Sequence, residues 1–253
     1  MRLEANLALF AEERPAAMVV SHERSGTHFL MNALAACYGY VSQPFVNLDR
    51  PSLNINYFYP PELRDALLTL ASRPMANVVK AHYPADFFAD ELPRVTERYV
   101  IFSVCRDPVP TLISYWRILH RWAWVEGPRV ADPITFARAE PCGRMMRYQM
   151  RQQPNLMRRW AAHVESWLAA ARALPRVVVV RYEDLDQRYG ETMRGFAGLL
   201  GRPPQALTRP ARDFNVIAGG PTDPTGSGVP PDTEALRQLC RQEVGATMAR
   251  LGY

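Results

Sequence analysis

Four polar clusters carry the residue types that could do chemistry, and the first is Ser21-His22-Glu23-Arg24-Ser25-Gly26-Thr27-His28. Gly26 lets backbone approach a ligand closely, Arg24 adds fixed positive charge and Thr27 adds a hydroxyl. The amides of Ser25 to His28 fall at the start of a helix, an end that favours anions. Such a turn can hold a phosphate-like group, although the Gly-Lys-Ser/Thr ending of a Walker A loop is absent. An ordinary capped helix start would look the same from this segment alone. The second cluster, Lys80-Ala81-His82-Tyr83-Pro84, sets an ammonium and an imidazole two residues apart on an extended segment, so both point to one side. Lys80 is the single lysine among 30 Lys and Arg residues. A GC-rich coding sequence produces such a bias, and the surviving lysine marks a place where a compact ammonium serves and a planar guanidinium does not. The third cluster is Cys105-Arg106-Asp107-Pro108 and the fourth Arg181-Tyr182-Glu183-Asp184-Leu185.

Each cluster follows a short apolar run: Met18 to Val20, Asn77 to Val79, Tyr99 to Val104 and Val177 to Val180. Runs without polar alternation suit strands covered on both faces, as in a parallel sheet. Helical patterns alternate with them. Thr27 to Tyr38 carries one apolar stripe, Asp107-Pro108 caps a helix in which Val109, Leu112, Ile113 and Trp116 recur, Leu156 to Ala173 repeats the pattern, and a last helix spans Asp232 to Leu251. This order predicts one α/β domain over residues 1–253, with a central, mostly parallel sheet flanked by helices and a P-loop-like strand-loop-helix at its start. Residues 121–154 read as a variable insertion and 211–231 as a flexible loop. In an open α/β sheet ligands bind outside the carboxyl ends of the strands, where all four clusters should meet.

Composition narrows the classes. The 253 residues are 48% hydrophobic, which excludes a disordered chain. No apolar run is long enough for a transmembrane segment, and the N-terminus lacks a signal-peptide layout. Four widely spaced cysteines form no metal-type pair and suit a reducing, cytoplasmic setting. The net charge of +5 favours an anionic partner, but the basic residues form no long run, so nucleic acid is not the expected one.

The four clusters together resemble the motifs of sulfotransferases that use 3′-phosphoadenosine 5′-phosphosulfate (PAPS). Glu23 to Leu30 resembles that family's P-R/K-S-G-T-T-W-L loop, and Val78 to Pro84 its K-x-H-x-P segment. Cys105 to Trp116 resembles its R-N/D-P-x-x-x-x-x-S-Y-Y segment, and Val177 to Leu185 its V-x-Y-E-D-L. The tail Arg250-Leu251-Gly252-Tyr253 is similar to the ending of Golgi-type and many bacterial members. The resemblance implies that Arg24, Ser25, Gly26, Thr27 and His28 hold the 5′-phosphosulfate, Arg24 lying near the bridging oxygen. It implies that Arg106 and Ser114 grip the 3′-phosphate, while Tyr182 and Phe29 lie against adenine. His82 would be the general base and Lys80 would meet charge on the sulfuryl oxygens. The products would be a sulfated hydroxyl or amine and adenosine 3′,5′-bisphosphate (PAP), with no metal required.

The sequence departs from the family at Glu23, which stands for a proline and puts a negative charge near the loop, and at His28, which stands for a threonine. The Arg-Lys-Gly segment that closes over the 3′-phosphate in cytosolic members is not visible; Arg209, Arg212 or Gly219 to Gly228 are candidates to replace it. The short dimer motif of those members is also missing, which leaves a homo-oligomer open. His163 reads as core, His22 and His120 lack companions, and Glu183-Asp184 reads as a turn cap. Trp116, Trp122, Trp124, Met145, Met146 and Met150 fit core packing or an acceptor pocket. The acceptor, a small molecule, a glycan or a lipid-like compound, is not encoded in any motif. A P-loop phosphotransferase using ATP and magnesium, or a non-catalytic nucleotide-binding scaffold, are the competing readings.

Overall fold

A strand needs apolar residues on both faces when helices cover both sides of a sheet, and Met18, Val19 and Val20 meet that requirement with no exposed surface. The computed structural model describes residues 14–50, 53–73, 76–121, 127–211 and 231–253. In chain order the elements are β1 (Ala16–Ser21), α1 (Thr27–Tyr38), β2 (Val41–Asn47), α2 (Pro60–Ala71), β3 (Asn77–Ala81), α3 (Leu92–Thr96), β4 (Tyr99–Cys105), α4 (Pro108–Arg121) and α5 (Pro133–Arg138). They continue with α6 (Leu156–Ala173), β5 (Val177–Arg181), α7 (Tyr182–Gln187), α8 (Tyr189–Gly195), α9 (Ala197–Leu200) and α10 (Thr233–Arg250). The 3₁₀ segments Ala85–Glu91 and Gly143–Tyr148 interrupt the series.

The five strands form one sheet in the order β2-β3-β1-β4-β5, and every pairing is parallel. β1 is therefore central, so the loop after it opens at the middle of the sheet's carboxyl edge. One face, with Ala17, Val19, Val100 and Phe102, packs under α1 and α7 to α9. The opposite face, with Met18, Val20, Tyr99 and Ile101, packs against α2, the Ala85–Glu91 segment and Trp167 of α6. A further cluster joins α4, α5, α6 and α10 around Trp160. The result is a single α/β domain.

The Asp107 cap read from sequence is present, its Oδ1 accepting from the Val109 amide at 2.8 Å; the structure adds Asn155 as the cap of α6 and Asp232 as that of α10. Two features escaped the sequence. β2 is an extra strand, masked by Pro44 and by its half-exposed residues; it lies at the edge, where a missing amide costs no ladder bond, and its register with β3 shifts between Val41 and Val46. The described part of 121–154 is ordered into α5 and the Gly143–Tyr148 segment, whose Phe136 and Met145 are fully buried. Elements of six residues are too short to show a helical period. The expected loop over 211–231 lies, apart from Ala211 and Pro231, outside the described residues.

Because Met18 fills the central strand with no exposure, Met18→Ala is expected to lower unfolding free energy by about 2–5 kcal/mol. A urea titration should show the midpoint falling with an unchanged slope.

Candidate active site

The loop after β1 is fixed by backbone geometry. The Ser25 amide turns back to the His22 carbonyl at 3.3 Å, so it does not point outward as the sequence implied. The Phe29 and Leu30 amides both donate to the Gly26 carbonyl, at 3.1 and 3.2 Å, so the Thr27 and His28 amides are the ones that precede the first helical bond. Gly26 has φ +103°, and a Cβ there would stand 2.3 Å from Cδ2 of Tyr182. The glycine thus admits the Tyr182 ring as well as a left-handed turn. Thr27 Oγ1 is 2.5 Å from Ser21 Oγ, so this hydroxyl is already engaged. Ser25 Oγ and His28 Nδ1 are sealed from solvent without a partner. An unsatisfied buried polar atom costs about 1–3 kcal/mol, and a phosphate or sulfate oxygen is the kind of group that would relieve it. These residues fit an oxyanion.

Beside the loop stand the residues of β3. Lys80 is almost fully buried and its Nζ lies 3.4 Å from Asp49 Oδ2, a contact of two buried side chains. Burial lowers the Lys80 pKa while Asp49 raises it; burial likewise raises the Asp49 pKa, while Lys80 and the Tyr148 hydroxyl lower it. His82 Nδ1 donates to the Ser21 carbonyl at 2.9 Å, which leaves Nε2 as the acceptor nitrogen. Burial and the Lys80 charge hold the His82 pKa well below the ordinary value, so the ring is neutral near pH 7. His28 behaves alike: burial, Lys80 and Arg24 lower it to about 4. The substitution of threonine by His28 therefore adds no charge at neutral pH.

At the next strand ends, Arg24 Nε donates to Ser114 Oγ at 3.1 Å, joining the first loop to α4. The Arg106 guanidinium lies 4.5 Å from the Tyr182 ring centroid, and Phe29 meets the same ring edge-on at 6.0 Å. Arg209, tied to Asp186, lies 5.4 Å from the Phe29 ring, whereas Arg212 and Gly219 to Gly228 fall outside the described residues. Glu183 caps a different turn from the one expected. Its Oε1 accepts from the Asp107 amide at 3.0 Å and its Oε2 from Tyr253 Oη at 2.8 Å, bracing the Arg106 turn from the far end of the chain.

Glu23 corrects the sequence reading most. Its carboxylate does not charge the loop; it points inward and takes both arms of the Arg159 fork, at 2.9 and 2.7 Å, and the Tyr115 hydroxyl at 2.9 Å. Arg159 and His22 hold its carboxyl well below the usual range against the opposing effect of burial. His22, expected to lack companions, accepts from Arg159 at Nε2 at 2.8 Å, and burial lowers its pKa to about 4. His163 is buried as expected but meets His22 edge-on at 6.0 Å. Trp116 and Met145 are core residues, and Met150 is exposed; Trp122 and Trp124 lie outside the described residues.

The structure thus brings Arg24, Ser25, Gly26, Thr27, His28, Lys80 and His82 to one place, with Phe29, Arg106, Ser114 and Tyr182 adjoining. Sequence reasoning missed Asp49, Tyr148 and Arg159. Asp49 follows β2 and would have been found by the same strand-end rule had that strand been recognised. Arg159 and His163 are one turn apart on the buried stripe of α6, and a charge on an apolar stripe was the available signal.

These buried imidazoles predict acid sensitivity. The unfolded chain titrates its histidines near 6.5, whereas His22, His28, His82 and His163 have depressed folded values. Their contribution is complete above about pH 6.5 and is lost as pH falls towards 4, by up to about 1.4 kcal/mol per pH unit for each group. Asp49, with a raised pKa, opposes this with one proton. Urea midpoints at about pH 7.5 and about pH 5 should differ sharply, and equal midpoints would contradict the neutral-imidazole assignment.

The comparisons agree with this architecture. A family model described as "Sulfotransferase domain" matches residues 14–216. No curated protein matches the chain in sequence. Among solved structures, retinol dehydratase complexed with retinol and PAP aligns at 16% identity with a TM-score of 0.56, covering 94% of this chain and 82% of that one. Retinol dehydratase with androsterone and PAP aligns at 18% and 0.52, covering 78% and 63%. A mouse sulfotransferase complexed with PAP aligns at 17% and 0.46, covering 74% and 58%, so the chain spans less than two thirds of the last two. The family model covers most of the chain, and the chain belongs to the sulfotransferase domain family.

Proposed function

We propose that this protein transfers a sulfuryl group from PAPS to a hydroxyl or amine of an acceptor, with His82 as general base. The observation that carries the reading is the neutral His82 ring, its Nδ1 spent on Ser21 and its Nε2 left to accept, beside Lys80 and an oxyanion-fitting loop. PAPS, as co-substrate, supplies an activated sulfuryl group on a phosphate leaving group. Ser25, Gly26, Thr27 and His28 would cradle its phosphosulfate and Arg24 would stabilise the leaving 5′-phosphate. Arg106 and Ser114 would hold the 3′-phosphate, since a hydroxyl that accepts from Arg24 still has its own proton to donate. Phe29 and Tyr182 would flank the base.

In the transfer, the acceptor oxygen forms a bond to sulfur as the bond from sulfur to the bridging phosphate oxygen breaks, and the acceptor proton passes to His82 Nε2. A positioned base contributes about 10²–10⁴-fold. The ammonium of Lys80 meets charge on the sulfuryl oxygens, and its position is held by Asp49. Trapping the imidazolium next to Lys80 is unfavourable, and the Glu23 carboxylate, which raises the His82 pKa, moderates that cost.

PAP at a hundred times its dissociation constant should add about 2.7 kcal/mol and raise the melting temperature by roughly 5–10 °C, with 5′-AMP giving less. His82→Ala should keep this shift and lose transfer. A shift with ATP and magnesium in place of PAP would favour the phosphotransferase reading, and near-normal turnover by His82→Ala would remove the base assignment. A second expectation concerns Asp49→Asn. Asp49 raises the Lys80 pKa, so its removal lets the ammonium lose its proton at lower pH. The alkaline limb of the kcat profile should move to lower pH; an unmoved limb would separate Lys80 from the rate.

A further inference from the structure

The clusters that follow β4 and β5 leave the sheet in step. The last pairing of these parallel strands sets Cys105 against Arg181, so Arg106 and Asp107 emerge beside Tyr182 and Glu183. Both pairs then meet. The Arg106 guanidinium lies 4.5 Å from the Tyr182 ring centroid, and the Asp107 amide donates to Glu183 Oε1 at 3.0 Å. From the other side, Trp160 Nε1 of α6 donates to the Arg106 carbonyl at 3.2 Å. That carbonyl and the Asp107 amide belong to one peptide unit, so both of its polar groups are held, one by α6 and one by α7. A planar peptide gripped in this way cannot rock, and Arg106 keeps only its side-chain torsions.

The Asp107 side chain is engaged as well: Oδ1 caps α4 at the Val109 amide and Oδ2 accepts from Arg237 of α10 at 2.8 Å. The Glu183 carboxylate needs a restraint of its own, because another rotamer would turn Oε1 away from the Asp107 amide. Tyr253 supplies it. Gly252, left-handed at φ 73°, turns the chain back over the end of α10, where the Tyr253 amide donates to the Met248 carbonyl at 3.1 Å. From this position the Tyr253 hydroxyl donates to Glu183 Oε2 at 2.8 Å, and the Arg181 guanidinium lies 4.8 Å from its ring centroid. The residues on either side of Tyr182 thus clasp Tyr253.

The effect of this chain of contacts on Arg106 passes through the peptide it shares with Asp107. A guanidinium on a fixed peptide presents its fork at one place, whereas one on a loose turn can follow a phosphate that has moved. Ribose offers the sharpest case, since its 2′ and 3′ oxygens are neighbours and a phosphate on either carries the same charge. We propose that Glu183 and Tyr253 are positioning residues which make Arg106 select a 3′-phosphate over a 2′-phosphate on the same ribose. The proposal rests on the sulfuryl-transfer reading, in which Arg106 grips the 3′-phosphate.

The test is calorimetric titration of the full chain with PAP and with its isomer adenosine 2′,5′-bisphosphate. The unaltered protein should bind PAP about tenfold or more tightly than the isomer. Tyr253→Phe removes one hydroxyl and keeps the ring beside Arg181; it should weaken PAP about fivefold, the scale of one lost hydrogen bond, and leave the isomer within about twofold. Glu183→Ala should narrow the preference further. Glu183→Gln should restore it, since its amide oxygen still accepts from Asp107 and its nitrogen can donate to the Tyr253 hydroxyl. Equal affinity for the two isomers in the unaltered protein, an unchanged preference in Tyr253→Phe, or the equal weakening of both isomers that a general loosening of the fold gives, would overturn the positioning role and leave sulfuryl transfer standing. Failure of the unaltered chain to bind PAP would instead remove the reading on which the proposal rests.

Discussion

The buried pair of Glu23 and Arg159 is the contact on which the rest of the site depends. Through it the loop after β1 is fastened to α6, and the Tyr115 hydroxyl adds α4 to the same carboxylate. Arg159 also donates to the Met145 carbonyl, so the segment leading to Tyr148 hangs from the same guanidinium. Buried ion pairs are weak evidence for stability, because desolvation offsets most of the attraction. Their sharper effect is on uniqueness: any loop conformation that pulls Glu23 away strands a charge in the interior. With Glu23 held inward, Arg24, in a left-handed conformation at φ 68°, is turned to Ser114, and the loop presents net positive charge.

A division of labour follows among the charged and titratable groups. Arg24 and Arg106 carry fixed guanidinium charge and Lys80 an ammonium whose pKa burial lowers and Asp49 raises, while burial with Lys80, joined at His28 by Arg24, keeps His28 and His82 neutral. On the sulfotransfer reading, anion binding and proton acceptance fall to different residues. The arrangement contains a tension, since the Lys80 charge that attracts an anion also weakens His82 as a base. A bound sulfuryl group would screen Lys80 from the ring, so the base would strengthen when its substrate is in place.

The sheet core and the four strand-end clusters were legible because fully buried parallel strands read as unbroken apolar runs, and because ligand groups in such folds collect where those runs stop. The limits have equally specific causes. β2 contains Pro44 and half-exposed residues, so neither apolar continuity nor alternation marks it, and Asp49 went unnoticed with it. Glu23 looked like a misplaced charge because its partner is 136 residues away, a distance no local pattern spans. Tyr148 lies in a six-residue 3₁₀ segment with no period to read. The resemblance to sulfotransferases supplied roles for the four motifs, but Arg159 and Tyr148 lie outside those motifs.

On the sulfotransfer reading, the surroundings of Tyr182 offer a way to tell a nucleotide with a terminal phosphate from one without. Its ring is closed on one side by Gly26, met edge-on by Phe29 and covered by Arg106. On the sulfotransfer reading, Arg106 must leave that ring to reach a 3′-phosphate. An exposed cation–π contact is worth about 0.5–1 kcal/mol, whereas a hydrogen bond to a charged group is worth about 1.5–3 kcal/mol. The exchange is favourable when the 3′-phosphate is present. A nucleotide that lacks it must insert its base beside Tyr182 against a seated guanidinium and gains nothing in return. On that reading discrimination would come from the contact Arg106 already makes, in a turn braced through Asp107, Glu183 and Tyr253.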